Sequence, residues 1–259
     1  MLNYTNIPVI VDGITYYATQ ASFNVSTSLE PVYALGQAGK VTQDPNGPIK
    51  GTLSLDYHID QDAIGGIFDG IITGLSSAVT PVTVSLGGQS FSKAYLTSHG
   101  ANGQANQLAS AKASFDLYFD STSEAIAFGA TSSSTTADGS LSLGHGAASS
   151  VGTVGGISDA VSFAYESSIQ YDYVFKMGSV TPVNVFVSRA SKKMTVEGYS
   201  ISSNITMCGT TASVTATVNS LCSAGSITTY VAAGEITQLE GSVSAGQVGR
   251  GKVTVTQFI

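Results

Sequence analysis

Tryptophan is absent, histidine occurs three times and cysteine twice, and only 10% of the 259 residues carry charge. Each scarcity removes a class of function. Without tryptophan, the flat aromatic platforms that grip sugars are harder to build. So few charges leave a surface of serine, threonine and glycine that is polar but weakly charged, which suits a protein covered by copies of itself. Cys208 and Cys222 have neither CxxC spacing nor a neighbouring histidine, so no metal site is expected. Reduced thiols are the expectation for this pair, with a disulfide the alternative. No apolar run approaches the ~20 residues of a membrane helix. The start, MLNYTNIPVIVDG, lacks the basic residues and apolar run of an export signal, so synthesis in a cytoplasm without a membrane partner is expected.

The net charge of −7 argues against a surface that holds nucleic acid by its phosphates, because that binding depends on lysine and arginine displacing counterions. Repulsion of DNA would still serve a conduit. Residues 1–128 hold 4 basic and 10 acidic side chains and residues 129–259 hold 6 and 7, so the first half supplies most of the acidity.

What the chain has in abundance is two-residue alternation. Leu53, Leu55, Tyr57 and Ile59 alternate with Thr52, Ser54, Asp56 and His58, which puts the two sets on opposite faces of a strand. A matching strand is expected over 21–30, and the long polar stretch between them makes an overgrown hairpin connection. Asp12-Gly13, flanked by apolar runs at 7–11 and 14–18, predicts a tight hairpin. One helix is expected, over 60–75, where Ile64, Ile67, Phe68, Ile71 and Ile72 form a single stripe. Asp60 or Asp62 would cap its start and Gly74 its end. Further strands are expected at 81–86, 91–98 and 111–119, with HGANGQANQ as a polar loop before the last.

Glycine, serine, threonine and alanine dominate residues 121–160, which fit a linker. Beyond it the order of events repeats in diverged form: strands at 167–178 and on either side of a turn at 189–191, then a loose match of 229–258 to 83–119. Two domains, 1–125 and 161–259, joined by a linker at 126–160, are the expectation.

No constellation of catalytic residues emerges, and no enzyme activity or cofactor is expected. The stretch GQVGRGKV, 246–253, matches the GxxxxGK part of a phosphate loop. However, Val253 stands where the magnesium-binding hydroxyl belongs, and a strand follows where a helix must begin. His58 is expected on an outward strand face, with His99 and His145 in loops, all solvated and without the oriented partner a general base needs. Asp56, Asp60, Asp62 and Asp69 lack the spacing of a calcium loop. Arg189, Lys192 and Lys193 form the one basic knot, placed in a turn, where a solvated surface and a salt contact with an acidic neighbouring subunit both fit. Tyr171, Tyr173 and Phe175 are expected in the core, with hydroxyls at its rim.

The order of alternating strand, long polar loop with PNGPI at 45–49, alternating strand, amphipathic helix and further hairpins resembles the tail tube proteins of tailed bacteriophages and the related baseplate and neck proteins. The likeness spans residues 20–120 and, more faintly, 165–259. It implies an all-β fold with one short flanking helix, here as two tandem sandwich or barrel domains. It also implies homo-oligomeric rings that stack into a tube, through which DNA passes without specific binding, alongside other phage tail proteins. The place implied is the virion tail, after assembly in the host cytoplasm. Single-domain members form hexameric rings; a duplicated chain implies either six copies or a trimeric ring with pseudo-sixfold symmetry. The loop 32–50 would then be an inter-subunit arm, with Tyr33, Leu35, Lys40, Asp44, Pro45, Asn46 and Pro48 at the contact and Arg189, Lys192 and Lys193 as a basic contact. A β-rich decoration, adhesin or receptor-binding module is the second reading, favoured by the Gly/Ser/Thr-rich middle and the tyrosines.

Overall fold

The computed structural model describes residues 9–16, 18–45, 47–60, 62–75, 77–86, 89–119, 144–145, 160–199, 211–220, 226–245 and 248–259. Val9–Val11 (β1) and Ile14–Tyr16 (β2) form the hairpin expected at Asp12-Gly13, whose positive φ angles of 49° and 82° are those of a type I′ turn. Ala18–Ser26 (β3), Leu29–Tyr33 (β4), Lys40–Pro45 (β5) and Lys50–His58 (β6) precede the helix, Ala63–Thr73 (α1). Val82–Leu86 (β7), Gln89–Gln104 (β8) and Ser110–Tyr118 (β9) complete the first half. Gly144–His145 (β10), Ala160–Val174 (β11), Asn184–Tyr199 (β12), Thr211–Ser220 (β13), Ser226–Ser242 (β14) and Arg250–Phe258 (β15) follow. The protein is therefore all-β with a single short helix among the described residues.

Except for β4 and β5, all these strands belong to one antiparallel sheet. At its centre is β8, which pairs with β7 through residues 89–94, with β9 through residues 94–102 and with β11 through residues 98–104 of β8. On one side the order runs β8–β9–β6–β3, and on the other β8–β11–β12–β15–β14–β13–β10. The end strand β10 reaches the other branch: the Gly144 N–H donates to the Ile59 carbonyl at 2.6 Å, and the Gly144 carbonyl accepts from Ala109 N–H at 2.8 Å. These bonds lie at the ends of β6 and β9, so the sheet is tied back on itself there in the manner of a barrel. Period-two alternation turns Leu53, Leu55, Tyr57, Phe115, Leu117, Met194, Val196, Val214, Val253 and Val255 into one buried cluster.

That cluster takes residues from both halves, and β8–β11 joins the halves in one sheet. Segments 1–125 and 161–259, expected as two domains, thus share a core and a strand ladder. The expected linker, 126–160, lies outside the described residues except for Gly144, His145 and Ala160, and Gly144–His145 is a strand within the sheet rather than a spacer.

Two expected turns are strand instead. Residues 99–104 of the expected polar loop continue β8, because the ladders with β9 and β11 hold both of its edges despite the glycines. The turn placed at 189–191 is the interior of β12, where β11 pairing persists from Asn184 to Gly198 with a register shift beside Gln170 and Tyr171. The repeat of short elements expected in the second half is replaced by long strands.

The helix follows its sequence signals. The Asp62 side chain accepts from Gly65 N–H at 3.1 Å, and Gly74 N–H returns to the Gly70 and Ile71 carbonyls at the other end. Ile64 and Phe68 are fully buried, while Ile67, Ile71 and Ile72 pack at the margin of the core. Cys208 and Cys222, and Gly246 of the phosphate-loop-like stretch, lie outside the described residues.

Candidate assembly surface

Strands β4 and β5 stand apart as a two-stranded sheet of their own, and every residue of β4 is exposed. Five residues at the rise of a β-strand give a ribbon of about 17 Å. A tight turn closes it, in which Gln37 N–H donates to the Ala34 carbonyl and Gly36 has φ 84°. A glycine with positive φ in the third position is the mark of a type II turn. Its second position is Leu35, which is fully exposed. Tyr33 is 68% exposed, and Leu29, Val32 and Val41 also face solvent. A ribbon this short gains little stability from its own hydrogen bonds, and contiguous exposed apolar residues mark interaction sites.

Of the residues expected to act in this arm, Tyr33 ends β4, Leu35 forms the turn, and Lys40 begins β5 and is exposed. Asp44 and Pro45 close β5 in register with Glu30 and Leu29. Pro48 is half-buried where the chain returns to β6. Asn46 lies outside the described residues.

The basic knot is dispersed by the strand that carries it. Lys192 bonds Asp69 of α1 at 2.5 Å, with its ammonium 5.5 Å from the centre of the Phe68 ring and its side chain largely covered. It fastens the helix to the sheet instead of offering charge to a neighbour. Lys193 faces Glu166 across the β11–β12 pair at 3.6 Å, and Arg189 is exposed opposite Gln170.

Sequence reasoning missed a buried polar cluster at the start of α1. Expected in a solvated loop, His99 is instead buried on β8, with its Nε2 3.3 Å from Asp62 Oδ1 and 3.3 Å from the Tyr57 hydroxyl. Tyr57 O–H donates to the same carboxylate at 3.4 Å, and Ile64 N–H donates to the Tyr16 hydroxyl at 3.1 Å. The rings of Tyr165 and Tyr230 each lie 6.1 Å from that of His99. Burial alone would push the Asp62 carboxyl up, but the bond and charge of His99, with the Gly65 N–H, hold it below the usual carboxylate range. Burial, then the Asp62 charge, push the Tyr16 hydroxyl up to about 12 and raise the Tyr57 and Tyr230 hydroxyls well above their ordinary value, so all stay protonated. Among the described residues His99 Nδ1 is buried without a hydrogen bond. An aspartate, a histidine and tyrosines in contact are groups that move protons in other settings, but here the Asp62 and His99 side chains are 2% and 0% exposed. The cluster pins the helix start to the sheet. A signal for it exists in the sequence: His99, Ala101 and Gly103 alternate inward against Gly100, Asn102 and Gln104.

The row Tyr171, Tyr173, Phe175 packs on Tyr95 and Tyr118 in a small separate cluster at one end of the sheet. Its hydroxyls are engaged, with Tyr171 donating to the Leu96 carbonyl at 2.6 Å and Tyr173 to Asp116 at 2.7 Å. Expected in the core, Tyr171 and Tyr173 are instead half-buried at its edge, and Phe175 is 41% exposed.

No protein-family model matches this chain, and no curated protein matches it.

Proposed function

We propose that this chain is a structural subunit of a tailed-phage virion, a tail tube protein or a close relative in the tail, that works by assembling with copies of itself. The observation that carries this reading is the β4–β5 arm, a ribbon of exposed apolar side chains that its own sheet does not cover. The edge strand β3, which among the described residues pairs only with β6, adds a second means of association, since an unpaired edge can continue into a neighbour's sheet. In this reading the rings stack into a channel in the virion tail, DNA passes without specific binding, and other tail proteins cap the ends. Because the two halves share one core, the chain counts as one unit, which favours a ring of six over three pseudo-duplicated copies. The reading of the protein as a decoration or receptor-binding module loses support from the tyrosines, whose hydroxyls at Tyr171 and Tyr173 are already engaged.

Electron microscopy of the purified protein tests the proposal. Rings with a central channel, alone or stacked, are expected, and replacing residues 29–45 by a short Gly-Ser bridge should abolish them while leaving the circular dichroism of a folded β protein. Discrete particles that bind glycans and never form rings would overturn the reading in favour of an adhesin.

A further inference from the structure

The hairpin between β11 and β12 repeats the construction of the arm. Ser179 N–H donates to the Lys176 carbonyl, Gly178 has φ 77°, and the residue before it, Met177, is fully exposed. As at Leu35-Gly36, a type II turn lifts one large apolar side chain into solvent, and glycine is what permits it. Val174 and Val183 are exposed beside Met177. The arm and this tip thus each carry an apolar knob on a turn of the same kind.

Both sit at one end of the sheet. At the arm's base, Ser26 pairs with Lys50 and Lys50 with Tyr118, whose ring lies 6.0 Å from that of Phe175 in the β11–β12 tip. Copies related by rotation about a ring axis that runs along the strands keep equal ends at equal height. An arm about 17 Å long then meets the neighbour's tip without crossing the sheet. The other exposed apolar tip, between β14 and β15 with Val243 and Val248, lies at the far end, near Gly241 and Gly251. Only a copy stacked above or below could present it to the arm.

Charge agrees with the in-ring partner. Exposed Glu30 and Lys40 belong to the arm and exposed Asp172 and Lys176 to the tip, and none of the four has an ion pair among the described residues. On the body of the sheet, Asp56, Glu166, Glu197 and Glu240 all have basic partners. Glu30 against Lys176 and Lys40 against Asp172 would give each open charge an opposite one.

We infer that the arm of one copy is received by the β11–β12 tip of its neighbour in the same ring, with Leu35, Tyr33 and Val32 on one side and Met177, Val174 and Val183 on the other. This inference rests on the self-assembly reading. It makes the contact heterologous, each copy giving an arm at one flank and a tip at the other, which is what closes a ring.

The test uses two full-length variants, Leu35→Asp with Tyr33→Asp in the arm and Met177→Asp with Val183→Asp at the tip, studied by sedimentation velocity and native mass spectrometry. Each variant alone should lose the ring and sediment as a folded monomer. Mixed in equal amounts, they should form a one-to-one dimer and nothing larger, since one intact arm meets one intact tip and the remaining arm and tip are both damaged. If the tip variant assembles like the unaltered protein while the arm variant does not, the tip assignment falls and self-assembly stands; a Val243→Asp variant that then blocks assembly would place the arm on a stacked copy. Two monomeric variants that give no dimer on mixing also overturn the inference. An unaltered protein that stays monomeric overturns it together with the self-assembly reading.

Discussion

The β4–β5 arm and the start of α1 break the same rule in opposite directions. The arm holds leucine, valine and tyrosine in water, and the helix start holds a carboxylate and an imidazole in the core. Around Asp62 the exception is resolved inside the chain, because the carboxylate accepts from His99, Tyr57 and the Gly65 N–H, and a buried charge is tolerated when paired and hydrogen-bonded. Around Leu35 nothing among the described residues resolves it. The first pattern belongs to stability and the second to association, so substitutions at the two places should move different measurements.

The largest effect on stability is expected at the buried end of the comparison. Asp62→Ala removes the helix cap and leaves His99 and the Tyr57 hydroxyl without their acceptor. Breaking a buried pair in this way costs about 3–5 kcal/mol, read as a lower urea midpoint in circular dichroism. Phe68→Ala should cost a similar or slightly smaller amount, about 3–4 kcal/mol, through the cavity left beneath Lys192.

Acid should separate the two regions further. The folded-state pKa of Asp62 is held below its unfolded value, so its contribution is present above the unfolded pKa, near 4, and is lost as pH falls through the folded pKa. Urea midpoints measured between pH 7 and pH 2 should fall toward the acid end for the unaltered protein and show a shallower slope for Asp62→Asn. An equal slope in both would mean that other carboxylates dominate.

Lys192→Met keeps the stem over Phe68 and removes the ammonium, with its contact to the Phe68 ring and its ion pair with Asp69, which is 62% exposed and screened. The expected loss is below about 1 kcal/mol. Smallest of all should be Leu35→Ser, within about 0.5 kcal/mol in the urea midpoint, even though it is expected to weaken assembly. A Leu35→Ser protein that unfolds easily would erase the distinction between the two regions.

Much of this was legible in the residues. Asp12-Gly13 and the apolar stripe of 64–72 with Asp62 and Gly74 at its ends depend on local geometry, which neighbours in sequence set by themselves. The long excursion between two alternating strands was visible for the same reason. What could not be read was pairing. The stretch 99–104 looks like a loop because it is rich in glycine and asparagine, and 189–191 looks like a turn because it is small and basic; both are strands because ladders on their edges outweigh weak local preference. The fate of His99 and Lys192 depended on that same outcome.

Alone, then, the sequence determined that the chain is β-rich, that it carries one capped helix, and that an oversized polar connection leaves its first long hairpin. Tertiary structure decided that the halves form one sheet and one core, that His99 is a buried partner of Asp62, and that Lys192 belongs to the helix. It also decided that the arm's apolar residues stand exposed, without cover from the described residues. Local signals act over one turn of helix or one hairpin, whereas burial and pairing are set by residues more than a hundred positions apart, such as Asp69 and Lys192.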